Sequence, residues 1–196
     1  MRLLPAFLSP DQQHRLVADL RRILDRAPLY SPAMPGSGNP LSVCMSNCGP
    51  LGWLSERSGY RYSPTHPVTD EPWPAIPALV LDLWHGVTGV AYPPEACLIN
   101  YYGPAAKLGL HRDQDEDARE APILSISLGD TALFRLGGPD RKSPTRSVKL
   151  TSGDAVLLDG PSRHWYHGVD RILPGTSQLL PEGGRFNLTL RRVTAP

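Results

Sequence analysis

No apolar run in this 196-residue chain approaches the ~18 residues that a membrane-spanning helix needs. The opening MRLLPAFLSP has one cationic side chain, an apolar stretch broken by Pro5, and no small-residue cleavage site, so no secretory signal is expected. Cysteine is scarce and odd in number: Cys44, Cys48 and Cys97. Such loosely spaced thiols argue for a reducing, cytoplasmic setting rather than a disulfide framework. CMSNC (44–48) offers half a zinc site, but no second pair exists, so no structural zinc is expected. An excess of one charge is missing too. The net charge of +1 argues against bulk electrostatic coating of a duplex, and leaves nucleic acids and small molecules open as partners. There is no internal repeat, low-complexity tract or flexible linker. A 40% hydrophobic, 20% charged composition is that of an ordinary globular protein, and the length suits one domain, 1–196.

What is plentiful is proline, with 22, and glycine, with 18, which points to a turn-rich β fold with long ordered loops. Residues 9–26 read as a helix. Ser9 is its N-cap, Pro10 its first residue and Gln12 completes a capping box, ahead of the stripe Leu16, Val17, Leu20, Ile23 and Leu24. Residues 76–88 read as a second helix with Leu79, Val80, Leu83, Trp84 and Val87 inward. The stretch 28–75 lacks helical period and carries Trp53, Tyr60, Tyr62 and Trp73. From residue 96 the pattern becomes strands: CLINYY, KLGLHRD, ILSISLG, TALFRLG, SVKLT, DAVLLDG, HWYHGV and RFNLTLRRV. Gly129-Asp130 reads as a two-residue hairpin, and Ser152-Gly153 plays a similar part. The expected fold is mainly β with flanking helices, α+β, with a sandwich, jelly-roll or barrel core.

Chemistry concentrates in HRDQDE (111–116). On an extended strand His111 and Asp113 point to one face and reach one ion. RHWYHG supplies a third ligand, His164 or His167. Two histidines and a carboxylate suit non-haem Fe(II), although ligand type alone leaves manganese and zinc open. In RFNLTLR, Arg185, Asn187 and Arg191 share one strand face. Two guanidinium groups match a small dianion with a carboxylate at each end, such as 2-oxoglutarate, and Asn100 and Tyr102 are spaced to add neutral hydrogen bonds.

With MSNCGPLGW (45–53), GYRYSP (59–64), PWPAIP (72–77), CLINYYGPAAKLGLHRDQDE (97–116), APILSISLG (121–129), SRHWYHG (162–168) and RFNLTLR (185–191), the chain resembles the AlkB family of Fe(II)/2-oxoglutarate-dependent dioxygenases over residues 41–192. The resemblance implies a double-stranded β-helix (jelly roll) at about 96–193 under an N-terminal helix and nucleotide-recognition layer at about 1–95. It implies Fe(II) on His111, Asp113 and His167, the histidine before glycine. Asn100, Tyr102 and Arg185 would hold the distal carboxylate of 2-oxoglutarate, and Asn187 and Arg191 the end that chelates iron. Trp53 would stack on the flipped base with His111 on its other side, Asp115 would pair with the alkylated base, and Tyr60 and Arg141 would line the substrate site. With O2, the implied reaction is oxidative demethylation of N1-methyladenine and N3-methylcytosine, releasing formaldehyde, succinate and CO2. The expected partner is alkylated single-stranded DNA, with duplex DNA or RNA as alternatives, and the expected state is a monomer. The same chemistry on RNA or protein, or a non-catalytic nucleic-acid binder, are the competing readings. Arg112, Gln114 and the HW of RHWYHG depart from the family's pattern, at no ligand position.

Overall fold

The computed structural model describes residues 1–195. Helix α1 (Pro10–Arg26) starts as its sequence requires: Ser9 Oγ accepts from Gln12 N, and Gln12 Oε1 accepts from Ser9 N. Helix α2 spans Ala78–Thr88, starting two residues later than the apolar pattern suggests. The reason is Pro77, which disfavours helical backbone at Ile76. Gly89, at φ 69°, ends the helix in the left-handed region that lacks a Cβ penalty.

Twelve strands form the rest: β1 (Arg2–Leu4), β2 (Cys44–Cys48), β3 (Gly52–Glu56), β4 (Gly59–Ser63), β5 (Ala96–Tyr102), β6 (Leu108–His111), β7 (Ile123–Gly129), β8 (Thr131–Leu136), β9 (Arg146–Leu150), β10 (Ala155–Leu158), β11 (His167–Leu173) and β12 (Arg185–Arg191). The last eight correspond to the expected strand series. The first four lie in stretches too short or too polar to show alternation. The major sheet has the order β1-β10-β7-β12-β5-β2, the minor sheet β6-β11-β8-β9, and β3 pairs with β4 alone, all antiparallel.

From β5 to β12 the chain repeatedly changes sheet, and β8–β9 is the one sequential pair there that hydrogen-bonds. This is the wiring of a jelly roll. It overturns the two expected hairpins. Gly129-Asp130 carries the chain from the major sheet (β7) to the minor (β8), and Ser152-Gly153 carries it back from β9 to β10. Asp130 makes the first crossing a fixed corner. Its buried carboxylate accepts from the backbone N–H of Thr176 (3.0 Å), Ser177 (3.2 Å) and Gly184 (3.0 Å). At Gly129 φ is 92°, and a Cβ would lie 2.5 Å from Gly184 O.

The faces of the major sheet have different neighbours. Cys97, Ile99, Leu124, Ile126, Leu188 and Leu190 pack with Leu16, Leu20 and Ile23 of α1 and Val80 and Trp84 of α2. Burying each such aliphatic side chain contributes roughly 1.5–3 kcal/mol. The other face looks toward the minor sheet, where Ile123, Val156 and Leu158 meet Phe134, Leu136 and Val169. Cys48 and Cys97 sit opposite each other across β2 and β5, both buried; they and the half-exposed Cys44 are free thiols.

Gly129→Ala should cost at least about 1–2 kcal/mol, since left-handed backbone and a backbone collision coincide there. A urea titration checks this: the midpoint should fall with the slope unchanged.

Candidate metal and co-substrate site

Strand register, more than alternation along one strand, assembles the metal triad. β6 ends at His111, so Asp113 lies in the loop beyond it and the expected strand through 113 is too long by two residues. His111 pairs directly with His167, the first residue of β11, and their rings are 4.6 Å apart between centroids. β11 carries Gly168 at this close approach: a Cβ there would be 2.7 Å from Leu108 O and 2.9 Å from Gly109 O. His111 Nε2 is 3.9 Å from Asp113 Oδ1 and His167 Nε2 is 3.7 Å from Asp113 Oδ2. One ligand atom from each residue lies within 4.8 Å of the others.

Each imidazole is turned for this role by a backbone carbonyl. His111 Nδ1 donates to Gly109 O at 2.9 Å and His167 Nδ1 to Trp165 O at 3.0 Å. That leaves each Nε2 as the unprotonated face, as metal-ligating histidines require. Burial, aided by the charge of His111, drives the His167 imidazolium down to about 4, so the ring is neutral at physiological pH. Burial alone would raise the Asp113 carboxyl. Arg191, followed by His167, His111 and Arg163, outweighs it and holds Asp113 well below the usual carboxylate range. Two imidazole nitrogens and one carboxylate fit Fe(II). His164 belongs to a short 3-10 helix, Gly160–His164, and lies 3.3 Å from Glu120 Oε1, away from the triad.

Arg185, Asn187, Thr189 and Arg191 alternate along β12 on the side facing the minor sheet. That face is buried: Arg185 is 1% exposed and Arg191 6%. Register adds Asn100 opposite Asn187 and Tyr102 opposite Arg185. Arg185 donates to Asp130 O (3.1 Å), Leu150 O (3.2 Å) and Ser127 Oγ (2.6 Å), and among the described residues it has no carboxylate partner. Burial lowers its guanidinium to about 10, with Tyr102 opposing, so it stays charged at neutral pH. Its Nε, together with Arg191 Nε and Asn100 Oδ1, is buried without a hydrogen-bond partner. A buried cation without a carboxylate partner and two orphaned guanidinium N–H donors on one face fit an anionic ligand with several acceptor atoms. The amide of Asn187 is engaged with Ser125 Oγ (2.8 Å) and Ile126 O (3.1 Å).

Beyond the triad, Trp53 on β3 stacks on Tyr60 of β4 at 5.2 Å and donates through Nε1 to Asp115 Oδ2 at 2.8 Å. The carboxylate expected to pair with the alkylated base is thus tied to the indole. Arg141, in the β8–β9 loop, is exposed, with its guanidinium carbon 6.0 Å from the centre of the Tyr166 ring. Arg112, whose Nε donates to Gln114 Oε1 at 2.7 Å, lies 5.6 Å from the same ring.

Two residues of the site escaped the sequence reading. Glu116 and Arg163 are buried and paired at 2.8 Å, and Arg191 bridges Glu116 (2.9 Å) and Asp113 (2.6 Å). Both residues lie inside quoted motifs. Glu116 was masked by the exposed acids around it, and Arg163 by the histidines that follow.

Fold and triad together are those of a known enzyme class. The 2OG-Fe(II) oxygenase superfamily matches residues 1–191. A Caulobacter vibrioides alpha-ketoglutarate-dependent dioxygenase AlkB homolog is 50% identical over 189 residues, 96% of this chain and 86% of its own. The Escherichia coli K12 alpha-ketoglutarate-dependent dioxygenase AlkB is 43% identical over 192 residues, 96% of this chain and 87% of its own. The solved structure of OsALKBH1 aligns with a TM-score of 0.83 at 32% identity, covering 97% of this chain and 95% of that one. The chain belongs to the AlkB family of this superfamily.

The depressed His167 value sets a pH test on the metal-free protein. Between the ordinary 6.5 and about 4, the unfolded chain binds a proton that the folded one refuses, so stability falls as pH falls through that window. Asp113, held low by its cations, adds a further loss below about pH 4. Urea midpoints at successive pH values should decline less steeply for His167→Gln than for the wild type over the upper window; parallel curves would contradict this.

Proposed function

We propose that the chain oxidatively demethylates N1-methyladenine and N3-methylcytosine in DNA, preferring single strands and acting as a monomer of one domain in the cytoplasm. One convergence carries this reading: the triad and the buried Arg185, whose partners are carbonyls and a hydroxyl rather than a carboxylate, face the same space between the sheets. When bound, Fe(II) on His111, Asp113 and His167 supplies with 2-oxoglutarate and O2 the oxidation that turns N-methyl into a hydroxymethyl lost as formaldehyde, leaving succinate and CO2.

The chain's own residues bind, orient and select. Arg185, with Asn100 and Tyr102, holds the distal carboxylate of 2-oxoglutarate, and the orphaned N–H donor at Arg185 Nε supports that assignment. Arg191 meets the keto-acid end. Asn187 takes part there by exchanging a bond it now makes to Ser125 or Ile126. A base taken out of the stack lies against Trp53, with His111 beyond it, and Tyr60 closes the site. Asp115, steadied by the Trp53 N–H, leaves a carboxylate oxygen for a base that is cationic and carries an exocyclic amine. Unstacking costs least in a single strand. The tip of the β3–β4 hairpin, Arg57 and Ser58, has no apolar side chain to fill the gap left in a duplex. Free thiols support the cytoplasmic setting.

Incubation of a methylated single-stranded oligonucleotide with the protein, Fe(II), ascorbate and 2-oxoglutarate should yield formaldehyde and succinate; neither appearing with iron bound would overturn the reading. Matched duplex, RNA and peptide substrates rank the alternatives. Asp115→Asn keeps an acceptor for Trp53 and removes the charge. It should lower turnover of a cationic methylated base about ten- to a hundredfold, as expected for a charge-assisted hydrogen bond, while 2-oxoglutarate turnover without a base persists. Arg141→Ala should reduce the slope of log affinity against log salt for single-stranded DNA by about 0.7, as for one lost phosphate contact.

A further inference from the structure

The carboxylate of Glu116 is fully buried and holds three donors: Arg163 Nη2 at Oε2 (2.8 Å), Arg191 Nη1 at Oε1 (2.9 Å), and the Tyr62 hydroxyl, also at Oε1. Both arginines continue to Asp113. Arg191 Nη2 donates to Asp113 Oδ1 at 2.6 Å, and Arg163 Nη1 donates to its backbone carbonyl at 2.8 Å. Arg163 Nε is in turn anchored on Ala121 O at 2.8 Å. Two carboxylates and two guanidiniums thus form a neutral, desolvated quartet. Asp113 lies in a loop with no strand partner to fix it, so its side chain and its backbone are each held by an arginine that Glu116 orients. Removing one member of such a group leaves an unpaired buried charge, which forces rearrangement of the rest.

Tyr62 connects this quartet to the substrate side. It sits on β4 in register with Trp53 on β3, two residues from Tyr60, and its hydroxyl also accepts from Arg191 Nη1 at 3.2 Å. The two-stranded sheet that carries both aromatic side chains of the base site is therefore hydrogen-bonded to the arginine and carboxylate of the metal site through one phenol.

We propose that Glu116 is a positioning residue for Asp113 and Arg191, and that Tyr62 couples their geometry to base capture by the β3–β4 hairpin. The proposal rests on the reading that Trp53 and Tyr60 receive the base. A nucleotide that settles the hairpin stabilises the Tyr62 contact, which holds Arg191 and Asp113 in place for 2-oxoglutarate and metal. The converse holds by thermodynamic reciprocity: a filled metal site must tighten the hold on the nucleotide by the same factor.

The full-length protein loaded with redox-silent Mn(II) tests this by titration calorimetry. The Kd of 2-oxoglutarate is measured with and without a methylated single-stranded oligonucleotide, and the Kd of the oligonucleotide with and without 2-oxoglutarate. Wild type should show the same factor in both directions, about fivefold or more. Tyr62→Phe keeps the ring and should bring the factor close to one. Glu116→Gln should weaken 2-oxoglutarate about tenfold, with partial recovery in Glu116→Asp. If Glu116→Gln fails to fold, Tyr62→Phe carries the test alone. A wild-type factor of one, or a factor unchanged in Tyr62→Phe, overturns the proposal while base capture stands. Trp53→Ala and Tyr60→Ala binding the methylated oligonucleotide as tightly as wild type would sink the base-site reading and the proposal with it.

Discussion

Burying cations between two sheets is the constraint that organises this molecule. Arg163, Arg185 and Arg191 are each almost wholly removed from water, and each must find compensation in a medium that penalises bare charge. Arg163 and Arg191 find it in Glu116 and Asp113. In doing so they fix a metal ligand that lies outside any strand. Arg185 finds carbonyls and one hydroxyl, but no carboxylate among the described residues. The same physical requirement is met by carboxylates at one end of the face and by neutral acceptors alone at the other.

The jelly-roll wiring makes this arrangement possible. Because the chain keeps crossing between sheets, residues far apart in sequence meet in the intersheet space. His111 and His167 meet by register, and Arg191 reaches Asp113 from β12, the strand between β7 and β5. Two glycines mark where backbones approach too closely for a side chain, Gly129 at a crossing and Gly168 beside the metal triad. The helices cover only the outer face of the major sheet, which leaves the inner face for polar chemistry.

Much of this was legible in the sequence, for definable reasons. The capping box of α1 is a local hydrogen-bond pattern, so residues 9–12 sufficed to read it. All eight core strands showed as short segments between turn residues, and β12's polar side was visible as the odd positions of RFNLTLR. Turn residues misled at Gly129-Asp130 and Ser152-Gly153. A positive φ suits a hairpin and a sheet-to-sheet corner alike, and the difference is decided by the partners of the flanking strands. Glu116 was illegible because an acid among acids carries no local sign of burial.

The sequence by itself determined the chemistry available: which residues can ligate a divalent metal, which can hold a dianion, and which aromatic and acidic groups suit a cationic base. It did so because ligand type and charge are properties of side chains. Only the tertiary structure decided that Asp113 is held by two arginines rather than by strand alternation, that Asp115 is bonded to Trp53, and that Tyr62 links the hairpin to the metal site. Those are contacts between residues from about 50 to more than 120 positions apart. Long-range register and burial set them, and neither is written in any local stretch of the chain.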